Sequence, residues 1–134
     1  MAERNVRMLR AKVFLILLLA GTAVTAQSCA TIKAGAAGTM AYVRGELRTV
    51  EPRDISVVYA ATGKAIKELE LSVTEKTKDA MSAKVVARDS EYKKITIKLS
   101  ATAEDTTKLS IRVGMFGDER KSRLIYGRIK EHLD

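Results

Sequence analysis

A chain of 134 residues with a formal charge of +8, one cysteine, one histidine and no tryptophan is one domain in length, long enough to bury a core without disulfides. The lone cysteine excludes an internal disulfide, and a single Cys and a single His at opposite ends exclude a Cys/His metal cluster. Four tyrosines and two phenylalanines are too few for a carbohydrate-stacking or base-stacking platform.

The chain opens with Arg4, Arg7, Arg10 and Lys12, followed by an apolar block at residues 13–20 that continues weakly to residue 24. A basic start and a short apolar core read as a secretory signal over residues 1–28. The block is about a dozen residues, whereas a permanent span needs roughly 20. Two cleavage chemistries fit its end. Val24, Thr25 and Ala26 place small residues where an ordinary signal peptidase cuts, which would release a soluble periplasmic chain beginning at Gln27. Alternatively, Ala26-Gln27-Ser28-Cys29 resembles a bacterial lipobox, in which the Cys29 thiol is acylated and the chain is cut before it. Ala26 and Gln27 depart from the usual Leu and small residue of that motif, while Ser28 fits. A leftover thiol in an oxidising compartment needs a use, and lipidation supplies one. Ala30 is not the Asp that marks inner-membrane retention, so the expected address is the periplasmic face of the outer membrane.

Residues 1–28 hold four basic side chains and Glu3, so the remainder carries about +5. The basic residues are interleaved with acidic ones, which reads as a mixed solvated surface; nucleic acid is not an expected partner, and a weak attraction to anionic lipid or polysaccharide remains. Residues 29–41, small and Gly-bearing after Cys29, read as a tether or as an apolar lead-in to the fold.

The domain is expected over residues 42–134. Residues 42–50 alternate, with Val43 and Leu47 on one face and Arg44, Glu46 and Arg48 on the other, predicting one strand. Pro52 ends it. From 54 to 70, Ile55, Val58, Tyr59, Thr62, Ile66 and Leu69 recur at helical spacing, and Gly63 inside that helix marks an expected close helix-to-sheet contact. Period two then takes over in residues 71–78 and 81–89, the latter with Ala83, Val85 and Ala87 on one face. It is clearest where Ile95, Ile97 and Leu99 alternate with Lys94, Thr96 and Lys98, and Leu109, Ile111 and Val113 with Lys108, Ser110 and Arg112. One wet and one dry face predict an antiparallel sheet covered on one side. After Gly114-Met115-Phe116-Gly117, Asp118 caps a final helix with Leu124, Ile125, Ile129 and Leu133 as its apolar stripe. The fold class is therefore α+β: two layers, an antiparallel sheet of about five strands with two helices packed on one face.

Five segments carry a family resemblance: Tyr42-Val43-Arg44-Gly45-Glu46-Leu47, Ala65-Ile66-Lys67-Glu68-Leu69, Val73-Thr74-Glu75-Lys76, Lys94-Ile95-Thr96-Ile97-Lys98-Leu99 and Ile111 to Asp118 through Gly114-Met115-Phe116-Gly117. Together, in this order after Cys29, they resemble a family of small bacterial lipoproteins of unknown function. The resemblance implies acylation of Cys29 ahead of the Gly/Ala-rich stretch, and it brings no catalytic residue.

Nothing in the chain forms a reactive constellation. His132 has only Glu131 and Asp134 nearby in sequence and reads as a solvated terminal residue. Glu104-Asp105 reads as a loop tip and Asp118-Glu119 as an acidic first helical turn. Gly114-Met115-Phe116-Gly117 lacks the Lys-Ser/Thr pair of a phosphate loop and reads as a strand-to-helix turn that leaves Met115 and Phe116 exposed. No catalytic, cofactor-binding or metal-binding residue is assigned, no cofactor is implied, and the expected function is a noncatalytic envelope interaction or structural module held to the membrane by a lipid anchor. The soluble alternative would bind a small ligand between helices and sheet.

Overall fold

The structure, a computed structural model, describes residues 40–134. Cys29, the signal segment and most of the expected tether lie outside the described residues. The chain forms β1 (Ala41–Val43), β2 (Glu46–Glu51), α1 (Ile55–Glu68), β3 (Ser72–Lys78), β4 (Ser82–Arg88), β5 (Lys94–Ala103), β6 (Thr106–Val113) and α2 (Glu119–Glu131). All strand pairs are antiparallel, in the order β1-β2-β6-β5-β4-β3. The expected α+β class holds, with six strands where about five were expected.

The extra strand comes from the first segment. Residues 42–50, expected as one strand, are split by a two-residue turn at Arg44 (φ 52) and Gly45 (φ 78), which folds β1 back on β2 with Val43 opposite Glu46. Two consecutive positive φ values define the tight hairpin turn whose twist matches the strands. Arginine at its first central position hides it, because Asn or Asp is the usual signal there. Ala41, the last residue of the expected tether, already belongs to β1.

The second half of the sheet is a meander, β3 to β6, that returns to pair with β2. Leu47, Thr49 and Glu51 of β2 face the core beside Leu109 and Thr107 of β6. Ala83, Val85 and Ala87 of β4, Ile95, Ile97 and Leu99 of β5, and Ile111 and Val113 of β6 complete the buried face. Asp54 caps α1 by accepting a hydrogen bond from the Ser56 amide (2.7 Å). The stripe of α1 buries Ile55, Val58, Thr62 and Ile66 as expected, together with Ala61 and Ala65. In α2 the expected Leu124 is 55% exposed, and Ser122 and Tyr126 are buried instead. Positions 122, 125, 126, 129 and 133 keep the 3.6-residue period, and Leu124 falls about 100° outside it.

Gly63 also departs from expectation: a Cβ added there meets nothing within 4 Å, so no close helix-to-sheet contact requires it. Gly63→Ala should therefore raise stability by about 0.5–1 kcal/mol, read as a higher urea midpoint, because alanine loses less backbone entropy in a helix. A lower midpoint would show that a contact does depend on the glycine.

The outer strand β3 is exposed at every position. Lys76 and Lys78, level with Val85 and Ala83 on the core side, place their ammonium groups 5.4 and 5.7 Å from the Tyr59 ring centroid on α1. Inward lysines, together with a register shift between Val73 and Glu75, disfavour pairing of this edge with another chain, while the aromatic face holds the cations.

Candidate functional site: a cationic open sheet face

The alternation that buries one face of the sheet exports the charge to the other. Across β4, β5 and β6, Arg88 lies opposite Lys94, Thr96 lies between Val86 and Arg112, and Lys98 lies between Lys84 and Ser110. Lys108 lies beside Ser100 on β5 and Val50 on β2, and Arg48 beside Ser110. Directly opposite residues on one face sit about 5 Å apart, and alternate residues along a strand about 7 Å. The result is a grid of seven cations, Arg48, Lys84, Arg88, Lys94, Lys98, Lys108 and Arg112, with Glu46 and Glu75 as its carboxylates.

This segregation corrects the expectation of a mixed surface. Residues 40–134 hold nineteen Lys and Arg against fifteen Asp and Glu, a net charge of +4. The open face alone carries +5, so the rest of the domain is close to neutral. The helices hide this in the sequence because their basic residues are matched locally, as in Arg123–Glu119 (2.6 Å), Arg128–Glu131 (2.9 Å) and Lys121 with Asp89 and Glu91 (2.8 Å each).

The two carboxylates of the face are committed. Glu46 accepts hydrogen bonds from Arg48 (2.7 and 3.0 Å) and from the Ser110 hydroxyl (2.5 Å). Partial burial opposes its ionisation, yet Ser110 and Arg48 together hold its carboxyl below the usual value. Glu75 is held low by Lys84 at 2.8 Å. Lys94, Lys98 and Lys108 make no ion pair with a carboxylate among the described residues. Two shallow grooves follow the grid. One of about 380 Å³ is lined by Glu46, Lys84, Lys94, Thr96, Lys98 and Arg112. The other, about 350 Å³, runs over Arg48, Lys98, Ser100, Lys108 and Ser110, with Glu46 and Leu99 also in its wall. Ammonium, guanidinium and hydroxyl donors on a rigid sheet suit oxyanions.

Glu104 and Asp105 form the exposed turn between β5 and β6. Asp118 caps α2, accepting from the Lys121 amide (3.0 Å), and Glu119 pairs with Arg123. His132 is not simply solvated: it is half-buried at the end of α2, with Nε2 3.0 Å from Glu68 Oε1 but out of line for a hydrogen bond. No group of three or more His, Cys, Asp or Glu among the described residues is placed to hold a metal ion. No helix among them is long and apolar enough to cross a membrane.

Glu51 carries no signal in the sequence reading beyond its place two residues after Thr49. Its carboxylate, 1% exposed, accepts from the Tyr126 hydroxyl (2.5 Å) and lies 3.3 Å from the Lys130 ammonium, joining β2 to α2. Burial, then this hydrogen bond, raises the Tyr126 phenol to about 12.

No curated protein matches the chain. A family model described as "Protein of unknown function (DUF3568)" matches residues 12–132. That span takes in the β1–β2 hairpin, α1, α2 and every strand of the cationic sheet, so the chain, an α+β protein, belongs to this family of unknown function.

Proposed function

We propose that the chain is a noncatalytic bacterial envelope lipoprotein, exported by residues 1–28, anchored through acylated Cys29 to the periplasmic face of the outer membrane, and presenting its open sheet face to an anionic envelope polymer. The observation that carries the polymer reading is the collection of the described domain's whole positive excess on the sheet face that neither α1 nor α2 covers. A grid of cations four strands wide suits a chain of repeated phosphate or carboxylate groups better than one small ion. Both grooves open on this face, which favours the polymer reading over a small ligand held between helices and sheet. The lone cysteine, placed after an apolar block and before a Gly/Ala-rich stretch, supports the anchor; acyl chains at ~0.8 kcal/mol per buried methylene would make it stable.

Two measurements test this. With polyphosphate as the probe, Lys84→Glu/Lys98→Glu/Lys108→Glu should weaken binding at least about tenfold at low salt. Lys64→Glu/Lys67→Glu/Arg128→Glu, the same charge change on the helices, should alter it less than about twofold. Equal losses in both would leave only net charge and sink the site. For the anchor, alkyne fatty-acid labelling in cells should be lost in Cys29→Ala; labelling equal to wild type would refute it.

A further inference from the structure

The end of the sheet at the β1–β2 turn holds two adjacent large apolar side chains in water, Met115 at 81% and Phe116 at 89% exposure. They are not loosely placed. A Cβ at Gly45 would lie 2.5 Å from the Phe116 carbonyl oxygen, and one at Gly117 would overlap the Gly45 backbone and the Tyr42 hydroxyl. The two glycine turns thus interlock backbone to backbone and project Met115 and Phe116 outward. The Gly114 amide donates to the Lys94 carbonyl (2.7 Å) and the Arg112 guanidinium to the Arg44 carbonyl (2.8 Å), fixing the turn among three basic residues. Arg44, Lys94 and Arg112 make no ion pair with a carboxylate among the described residues.

We propose that this turn is a lipid-insertion tip: Met115 and Phe116 enter the interfacial layer of an anionic phospholipid surface while Arg44, Lys94 and Arg112 contact its phosphates. An exposed apolar pair on a turn hydrogen-bonded among three basic residues is a composition that such an interface rewards, with the phenyl ring and thioether below the headgroups and the charges among them. Geometry allows it alongside the anchor. Eleven residues separate Cys29 from Ala41, twelve steps that reach at most ~43 Å when extended, and β1 brings the chain within three residues of the interlocked turn. The inference goes beyond the polymer reading of the sheet face and needs no acyl chain, so each can fail alone.

The full chain carrying Cys29→Ser and Phe116→Cys, labelled with an environment-sensitive dye, tests it against a control labelled at Glu104→Cys on the opposite end of the sheet. On phosphatidylcholine vesicles containing phosphatidylglycerol, the dye at 116 should shift to the blue and be quenched by nitroxide-labelled lipid, and the dye at 104 should do neither. Residues 13–20 are common to both chains, so the difference reads the tip. Adding Arg44→Glu/Lys94→Glu should lower the quenching at 116 about tenfold at a fixed lipid concentration. Quenching at 116 no greater than at 104, or unchanged by the charge reversal, would overturn the proposal. So would a blue shift already complete before lipid is added, which would place another part of the chain or a second copy over the tip.

Discussion

Gly117→Ala should lower the thermal midpoint of the domain by about 10–25 °C, the equivalent of roughly 2–5 kcal/mol at 4–8 °C per kcal/mol. Two costs combine. Gly117 has φ +88, where an L side chain costs about 1–2 kcal/mol, and the added Cβ would overlap the Gly45 backbone and the Tyr42 hydroxyl, an overpacking of about 1–3 kcal/mol that rigid backbone cannot relieve cheaply. Gly45→Ala should cost a similar amount, because φ is +78 and the clash is with the Phe116 carbonyl. Gly114→Ala separates the two costs: its φ is +72, but a Cβ there meets nothing within 4 Å, so only the conformational cost applies. Since Gly45 and Gly117 share one contact, the double variant should lose less than the sum of the singles. A Gly117→Ala midpoint no lower than that of Gly114→Ala would refute the interlock.

The second large effect concerns Glu51. Tyr126→Phe removes a hydrogen bond to a buried carboxylate and should cost about 1.5–3 kcal/mol. Tyr126→Phe/Lys130→Ala, which removes both donors seen on that carboxylate, should cost about 3–5 kcal/mol, as expected when a buried charge loses its partners. Urea denaturation at neutral pH measures both. The phenol adds a pH signature. Its folded-state value of about 12 is raised above the unfolded value of about 10, so its contribution is whole below pH 10. It is lost as the pH rises towards 12, by an amount of the order of 1–2 kcal/mol. Tyr126→Phe should flatten that stretch of the stability curve relative to wild type, whereas parallel curves would show that burial and the Glu51 hydrogen bond do not raise the phenol on folding.

Much of the architecture is legible from periodicity. Alternation at residues 94–99 and 108–113 identifies β5 and β6 and their buried faces, because successive strand residues must point to opposite sides. The stripe of α1 is legible for the corresponding reason at period 3.6. The β1–β2 turn is not, since Arg44 stands where Asn or Asp would announce it, and the flanking alternation runs straight through. Leu124 misleads because hydrophobicity alone cannot distinguish two helix faces when Ser122 and Tyr126 are the residues that pack.

The candidate face is half legible. Each strand by itself displays its lysines on one side, but a list of charges along the chain shows acids and bases interleaved. Pairing decides the rest. The chain crosses by α1 to the far edge of the sheet and returns through three hairpins, so β2 meets β6, the last strand. Only then do Glu46 and Arg48 join Ser110, while Glu51 comes under Tyr126 and Lys130 more than seventy residues away.

By itself, then, the sequence determined the class of fold, the alternation of wet and dry faces and membership of an uncharacterised family, all properties of local period and residue order. The tertiary structure decided where charge accumulates, which carboxylate is buried and which apolar pair stays in water, because these depend on strand order and on two glycine turns meeting across the end of the sheet. Local period says which way a side chain points; only the register between distant strands says what it points at.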